Sequence, residues 1–204
     1  SSSIIELTVP RVYGNDYEHF VDLVMHMPVT AGQAAAIERK ATELAAKLQS
    51  DAEARDDLSL SLESLGKMAM GPLRPLYADS DPAVVFFAAR AGIRVGDSLA
   101  VDPLAGLAQV ANSPHQIPAI VELGKAQFAA SQMDTLRKLL SQPGELARVA
   151  AYEALLSLED ALSIRRVRVG DGPQAFFVDI VSSDQKPIIY ATQTIQPRLA
   201  IIGR

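Results

Sequence analysis

The stretch "MGPLRPLYADSDPAVVFFAARAGIRVGD", Met70 to Asp97, decides the fold. It reads as two short apolar helices joined by a Ser80-Asp81-Pro82 turn, and its pattern recurs. Leu73 and Leu76 have counterparts in Leu104 and Leu107 of "DPLAGLAQVANS" (102–113) and in Leu136 and Leu139 of "DTLRKLLSQPG" (134–144), at spacings of 31 and then 32. A turn containing proline follows each Leu-x-x-Leu core, and then an Ala-rich apolar helix begins near Asp81, Ser113 or Gly144. Two of these second helices close alike, "ARAGIRVGD" at Asp97 and "YEALLSLED" at Asp160, 63 residues apart. Counting backwards, "SDAEARDDLSLSLESLG" (50–66) supplies an earlier unit from Asp51. A period of about 30–35 residues with two helices per unit predicts an α-solenoid, because one helix pair cannot bury its apolar face alone. Ala88 and Ala89, or Ala150 and Ala151, allow neighbouring helices to approach to ~8 Å.

The flanks carry a different texture. "SIIELTV" (3–9) alternates and stops at Pro10, while "HFVDLVMHM" (19–27) sets Val21, Leu23, Met25 and Met27 at period two. The first reads as a strand, and the second as a strand in preference to a helix, which its pattern also permits. Ala31 to Gln49 reads as a helix with Thr30 as its N-cap and Ile37, Thr42, Leu44 and Leu48 as its apolar stripe. After Asp160 come four β-rich runs, "SIRRVRV", "AFFVDIV", "KPIIYATQ" and "PRLAIIG", separated by turn residues at 170–173, 182–185 and 196–197. The expected fold is α+β: an α-solenoid of about four helical hairpins with a small antiparallel sheet formed by N- and C-terminal strands. The expected organisation is residues 1–29 as N-terminal strands joining the sheet, 30–160 as the helical repeat and 161–204 as the β-rich segment.

The composition narrows the function classes. A net charge of −5 argues against a nucleic-acid partner, which calls for a basic footprint. The charge is uneven: Ser163 to Arg204 holds six Lys or Arg against three Asp, a local +3, so the first 162 residues carry −8. Absence of cysteine removes disulfides and thiolate metal sites. No apolar run reaches the roughly 18 residues of a membrane span, so no membrane insertion is expected. The opening at Ser1 without methionine points to a segment cut from a longer chain.

Catalytic and metal chemistry find little support. His19, His26 and His115 are dispersed, and on a strand His19 and His26 face opposite sides. There is no Gly-x-Ser-x-Gly elbow, and "GDGP" (170–173) precedes no helix, so it reads as a hairpin turn. Asp56 and Asp57 read as charge compensation at a helix start, and Phe86, Phe87 and Tyr152 as core. A non-enzymatic protein with no cofactor is expected. Arg165, Arg166 and Arg168 are the candidate protein-interaction residues. On a strand Arg166 and Arg168 share one face, and they serve either to guard a sheet edge or to meet an acidic partner such as another copy.

The repeat resembles the HEAT family of helical hairpins over about Asp51 to Asp160, on "SDPAVVFFAARAGIRVGD" and "GELARVAAYEALLSLED". More narrowly, the order of N-terminal strands, helices and "AFFVDIV…PIIYATQTIQPRLAIIG" resembles divergent bacterial proteins of the flagellar P-ring-like group. Phe176 to Val181, Pro187 to Tyr190 and Pro197 to Gly203 match that group's closing strands. This resemblance implies a periplasmic structural component of the flagellar basal body that self-associates. The ordinary family's Gly-rich opening has no counterpart here. The alternative expectation is an adaptor that binds a protein or peptide along the solenoid's concave face.

Overall fold

The computed structural model describes residues 6–14, 16–28, 34–126, 130–172, 175–192 and 198–203. Along the chain these form α1 (Tyr17–His26), α2 (Ala34–Ser50), α3 (Arg55–Ser64), α4 (Met70–Leu73), α5 (Pro82–Arg94), α6 (Val101–Ala108), α7 (Gln116–Lys125), α8 (Ala130–Leu139) and α9 (Glu145–Ser157). Four strands follow: β1 (Ile164–Val169), β2 (Phe176–Val181), β3 (Ile188–Ala191) and β4 (Arg198–Ile202). The chain is a mixed α+β protein, and no described helix is long and apolar enough to cross a membrane.

Local chemistry places the helix boundaries. Asp81 caps α5, its Oδ1 accepting the Ala83 amide at 2.9 Å, and Pro82 fills the first turn, where no amide is needed. Pro75 cannot donate an α-helical bond, so α4 tightens into a 3-10 turn over Arg74–Ala78. The acidic pair Asp56 and Asp57 lies in the first turn of α3. The expected N-cap Thr30 lies outside the described residues. The buried stripe of α2 is Ala41, Leu44, Ala45 and Leu48, at i, i+3, i+4 and i+7, with Thr42 exposed.

The second helix of each expected unit packs against the next: α3 on α5, α5 on α7 and α7 on α9. Small residues make this layer close-fitting. Ala88, Ala89, Ala150 and Ala151 are all buried, and a Cβ on Gly124 of α7 would sit 2.7 Å from the Cβ of Ala154 of α9. Leu73, Leu76, Leu104, Leu136 and Leu139 lie in the core, whereas Leu107 is only partly buried. One core cluster joins α2 to α5, and a second runs from α5 to the sheet.

The segment 19–27 is a helix, not a strand. Phe20, Leu23 and Val24 turn toward the body at helical spacing, and the period-two residues Val21, Met25 and Met27 face outward. Glu6 to Pro10 forms no strand, and Ser3 to Ile5 lie outside the described residues. Every strand of the sheet among the described residues therefore comes from the C-terminal segment. Its order is β1-β2-β4-β3, and it is mixed: β1–β2 and β3–β4 are antiparallel, and β2–β4 is parallel. Gly170 and Gly172, at φ +82° and +66°, turn the β1–β2 hairpin. The chain then crosses to the far edge for β3 and returns through β4, which lies between β2 and β3.

The sheet lies on α9. Val181, Ala200 and Ile202 are buried beneath it, Arg148 of α9 donates to the backbone carbonyls of Lys186 (2.9 Å) and Ile202, and Tyr190 bonds Glu153 at 2.5 Å. Ser183 and Gln185 reach the carbonyls of Leu140 and Ser141 just after α8. The last helical pair is thus the platform that holds the sheet.

Candidate interaction surface

Strand alternation divides the three arginines of β1. The register sets Arg166 opposite Asp179, Arg168 opposite Phe177 and Arg165 opposite Ile180. Arg166 and Arg168 share the face toward α9, as expected, but Arg166 is not free. Its Nε and Nη2 donate to the two Asp179 oxygens at 2.8 and 3.0 Å, and Tyr152 of α9 donates to the same carboxylate at 2.8 Å. Asp179 is fully buried. Burial works against its charge, but the hydrogen bonds from Arg166 and Tyr152 and the positive charges of Arg166 and Arg198 overcome this and lower its pKa. Burial and the Asp179 carboxylate raise the Tyr152 pKa, so the phenol stays protonated as a donor.

Arg166 therefore holds Asp179 across the β1–β2 pair while Tyr152 ties the same carboxylate to α9, and the Arg166 side chain stays 40% exposed. Arg165 and Arg168 remain exposed, and among the described residues neither lies within ion-pair distance of a carboxylate. Both sit on an edge strand. Beside Arg166, a cavity of about 390 Å³ opens between the end of α9 and β1 and β4, with Asp160, Ile164, Arg166 and Arg198 among its lining. Asp160 is already engaged there by Arg137 at 2.7 and 3.0 Å, which holds its pKa down at about 2.

The outer face of the sheet is apolar. Val167 and Val169 of β1, Phe176, Val178 and Ile180 of β2, Leu199 and Ile201 of β4 and Ile189 of β3 point away from α9, with Arg165 at the rim. Val169, Phe176 and Ile180 are about 40% exposed and Ile189 is 74% exposed. Val167, Val178, Leu199 and Ile201 are half-buried, and none of this face's residues belongs to either core cluster. An exposed contiguous apolar patch of this kind marks an association site more often than ordinary surface. The patch was readable as period-two alternation in "AFFVDIV", but which alternate set faced out depended on where α9 lay. Asp179, a lone acid in an apolar strand, was the missed signal for the bonds from Arg166 and Tyr152.

Elsewhere, polar chemistry serves structure. Asp97 accepts Arg74 at 2.9 and 3.2 Å and Tyr77 at 3.1 Å, and Arg137–Asp160 repeats the arginine clamp 63 residues later. His19 and His26, seven apart on a helix rather than a strand, both face α3, with Glu63 at 2.7 Å and Asp57 at 3.2 Å. Arg94 joins His19 to Glu122 in this cluster. Among the described residues no group of acids and histidines is arranged to hold a metal ion. His115 stacks on Phe86, and Phe86 and Tyr152 lie in the core. No protein-family model matches the chain, and no curated protein matches it.

Proposed function

We propose that this chain is a non-enzymatic assembly module that works by associating with other copies of itself through its sheet. The observation that carries this reading is the partly exposed apolar outer face of the sheet, which lies outside both core clusters, while the opposite face contributes Val181, Ala200 and Ile202 to the core and bonds α9. The helical pairs act as a HEAT-like repeat whose role is to carry and orient that sheet. On the resemblance of the closing strands, the setting is the bacterial cell envelope, in a periplasmic component of the flagellar P-ring-like kind.

Charge sets the direction of approach. Arg165 and Arg168 are exposed on the edge strand β1, Arg165 at the rim of the apolar face and Arg168 on the side toward α9, and the residues before Ser163 carry the −8 balance. A basic rim of one copy against an acidic helical surface of the next is a head-to-tail contact, the type that closes into rings. Individual exposed pairs contribute only about 0–1 kcal/mol, so burial of the apolar face supplies most of the affinity.

The test is sedimentation velocity over a dilution series with wild type, Ile180→Lys, and the pair Arg165→Glu with Arg168→Glu. Wild type should associate, Ile180→Lys should lose association at any salt, and the double variant should lose its salt-sensitive part. A wild type that stays monomeric at every concentration, or an Ile180→Lys protein that associates equally well, overturns the reading.

The adaptor reading has one observation in its favour. The layer of α3, α5 and α7 already accepts a helix: α1 lies against it, with His19 on Glu63 and Arg94 and with Asp16 3.9 Å from Lys125. A partner helix that displaced α1 would bind there.

A further inference from the structure

The sheet has two edges, β1 and β3, and they are protected unequally. β1 carries Arg165, Arg166 and Arg168 within six residues, so two β1 edges brought together would repel. β3, "IIYA", carries no charge at all. An edge strand with no charge or proline of its own is a template for another strand.

The hydrogen-bond phase says which groups of β3 are free. The Thr192 amide donates to the Arg198 carbonyl at 2.9 Å, so in the antiparallel ladder the pairs Tyr190–Ala200 and Ile188–Ile202 are the bonded ones. Ile189 and Ala191 are the non-bonded positions, and their amides and carbonyls point away from β4, toward the open edge. Among the described residues no backbone group pairs with them. Ile189 is also the most exposed residue of the apolar outer face.

We propose that β3 pairs antiparallel with β3 of a second copy. This rests on the self-association proposed above and adds a two-fold contact to its head-to-tail one. The pairing is two-fold and self-complementary. Centred on Tyr190, Ile189 and Ala191 of each copy exchange bonds with Ala191 and Ile189 of the other, about four backbone hydrogen bonds in all. The second sheet extends the first, and the apolar outer face runs continuously across the join. Charge selects the occupant: β1 of another copy would bring Arg165 and Arg168, which have no carboxylate partner among the described residues, against a strand that carries no charge, whereas β3 brings none.

The experiment combines sedimentation velocity in low and high salt with residue-resolved amide exchange. Ile189→Pro removes an outward amide without removing a bond to β4, so the monomer keeps its fold; retained circular dichroism and a still-protected Tyr190 amide verify this. Ile189→Lys, a second variant, keeps the amide and sets like charges across the two-fold axis. Both should weaken association at least ~tenfold, the equivalent of losing two hydrogen bonds. The edge contact should persist in high salt, unlike the Arg165 and Arg168 contact. The wild-type Ile189 and Ala191 amides should exchange fast in dilute solution and slow as concentration rises. Association that survives both variants overturns the edge contact while leaving self-association standing. A wild type that never associates overturns both. Slow exchange of Ile189 and Ala191 in the dilute monomer means that the edge is covered within the chain, and the proposal falls.

Discussion

Two regions of the molecule use the same three side-chain types on a buried aspartate. In the helical region Arg74, Tyr77 and Asp97 belong to one hairpin, and the Leu99 amide adds a donor to Asp97. In the sheet region Arg166 comes from β1, Tyr152 from α9 and Asp179 from β2. The first set closes a local unit, so its geometry follows from the hairpin. The second joins elements that meet only once the sheet has docked. A local clamp stabilises a helical hairpin that its own sequence forms, while a long-range one selects where the sheet sits.

The largest effect that could break this comparison is at the sheet. Arg166→Met leaves the Asp179 carboxylate buried with Tyr152 as its remaining hydrogen-bond donor, at a cost of about 3 kcal/mol in urea unfolding. Arg74→Met should cost less, because Asp97 keeps Tyr77 and the Leu99 amide. Equal losses would mean that the two sites are energetically alike.

Next in size come the leucines of the middle unit. Leu104→Ala empties a fully buried site and should cost roughly 2–5 kcal/mol. Leu107, which appears equivalent in the Leu-x-x-Leu core, is only partly buried and should lose about 1 kcal/mol. Unfolding of the two variants under identical conditions checks the ranking.

Acid should weaken both regions together. Asp160 is held at about 2 against an ordinary 3.8, and Asp97 and Asp179 are lowered in the same direction. A lowered folded pKa gives stability that is complete above the unfolded value and is lost as pH falls through the folded one. Denaturant midpoints should therefore hold above pH about 4 and fall toward pH about 2. Arg137→Gln should flatten the part of that fall belonging to Asp160.

Smaller effects sharpen the contrast. Tyr152→Phe and Tyr77→Phe each remove one hydrogen bond to a carboxylate, about 1–2 kcal/mol. The former should also loosen the sheet, seen as faster amide exchange in β2. Arg165→Glu, exposed and without a carboxylate partner among the described residues, should stay within about 0.5 kcal/mol. Its effect belongs to association rather than folding.

Local pattern by itself determined much of the helical region. The Leu-x-x-Leu cores, the Asp81-Pro82 helix start and the Ala-Ala pairs act over a few residues, and their spacing carries the information. The four C-terminal strands were likewise legible, because alternation and turn glycines are local. The segment from His19 to Met27 was not, since Phe20, Leu23 and Val24 fit a helix while Val21, Leu23, Met25 and Met27 fit a strand. Only contact with α3 selects the first set. Strand order was equally hidden: pairing β4 with β2 in parallel needs β3 to cross to the far edge, and no local signal encodes a crossover. The fate of the three arginines followed from that choice. Sequence alternation put Arg166 and Arg168 on one face, and the tertiary structure then supplied Asp179 to only one of them, because a charge is neutralised by what lies beside it in space.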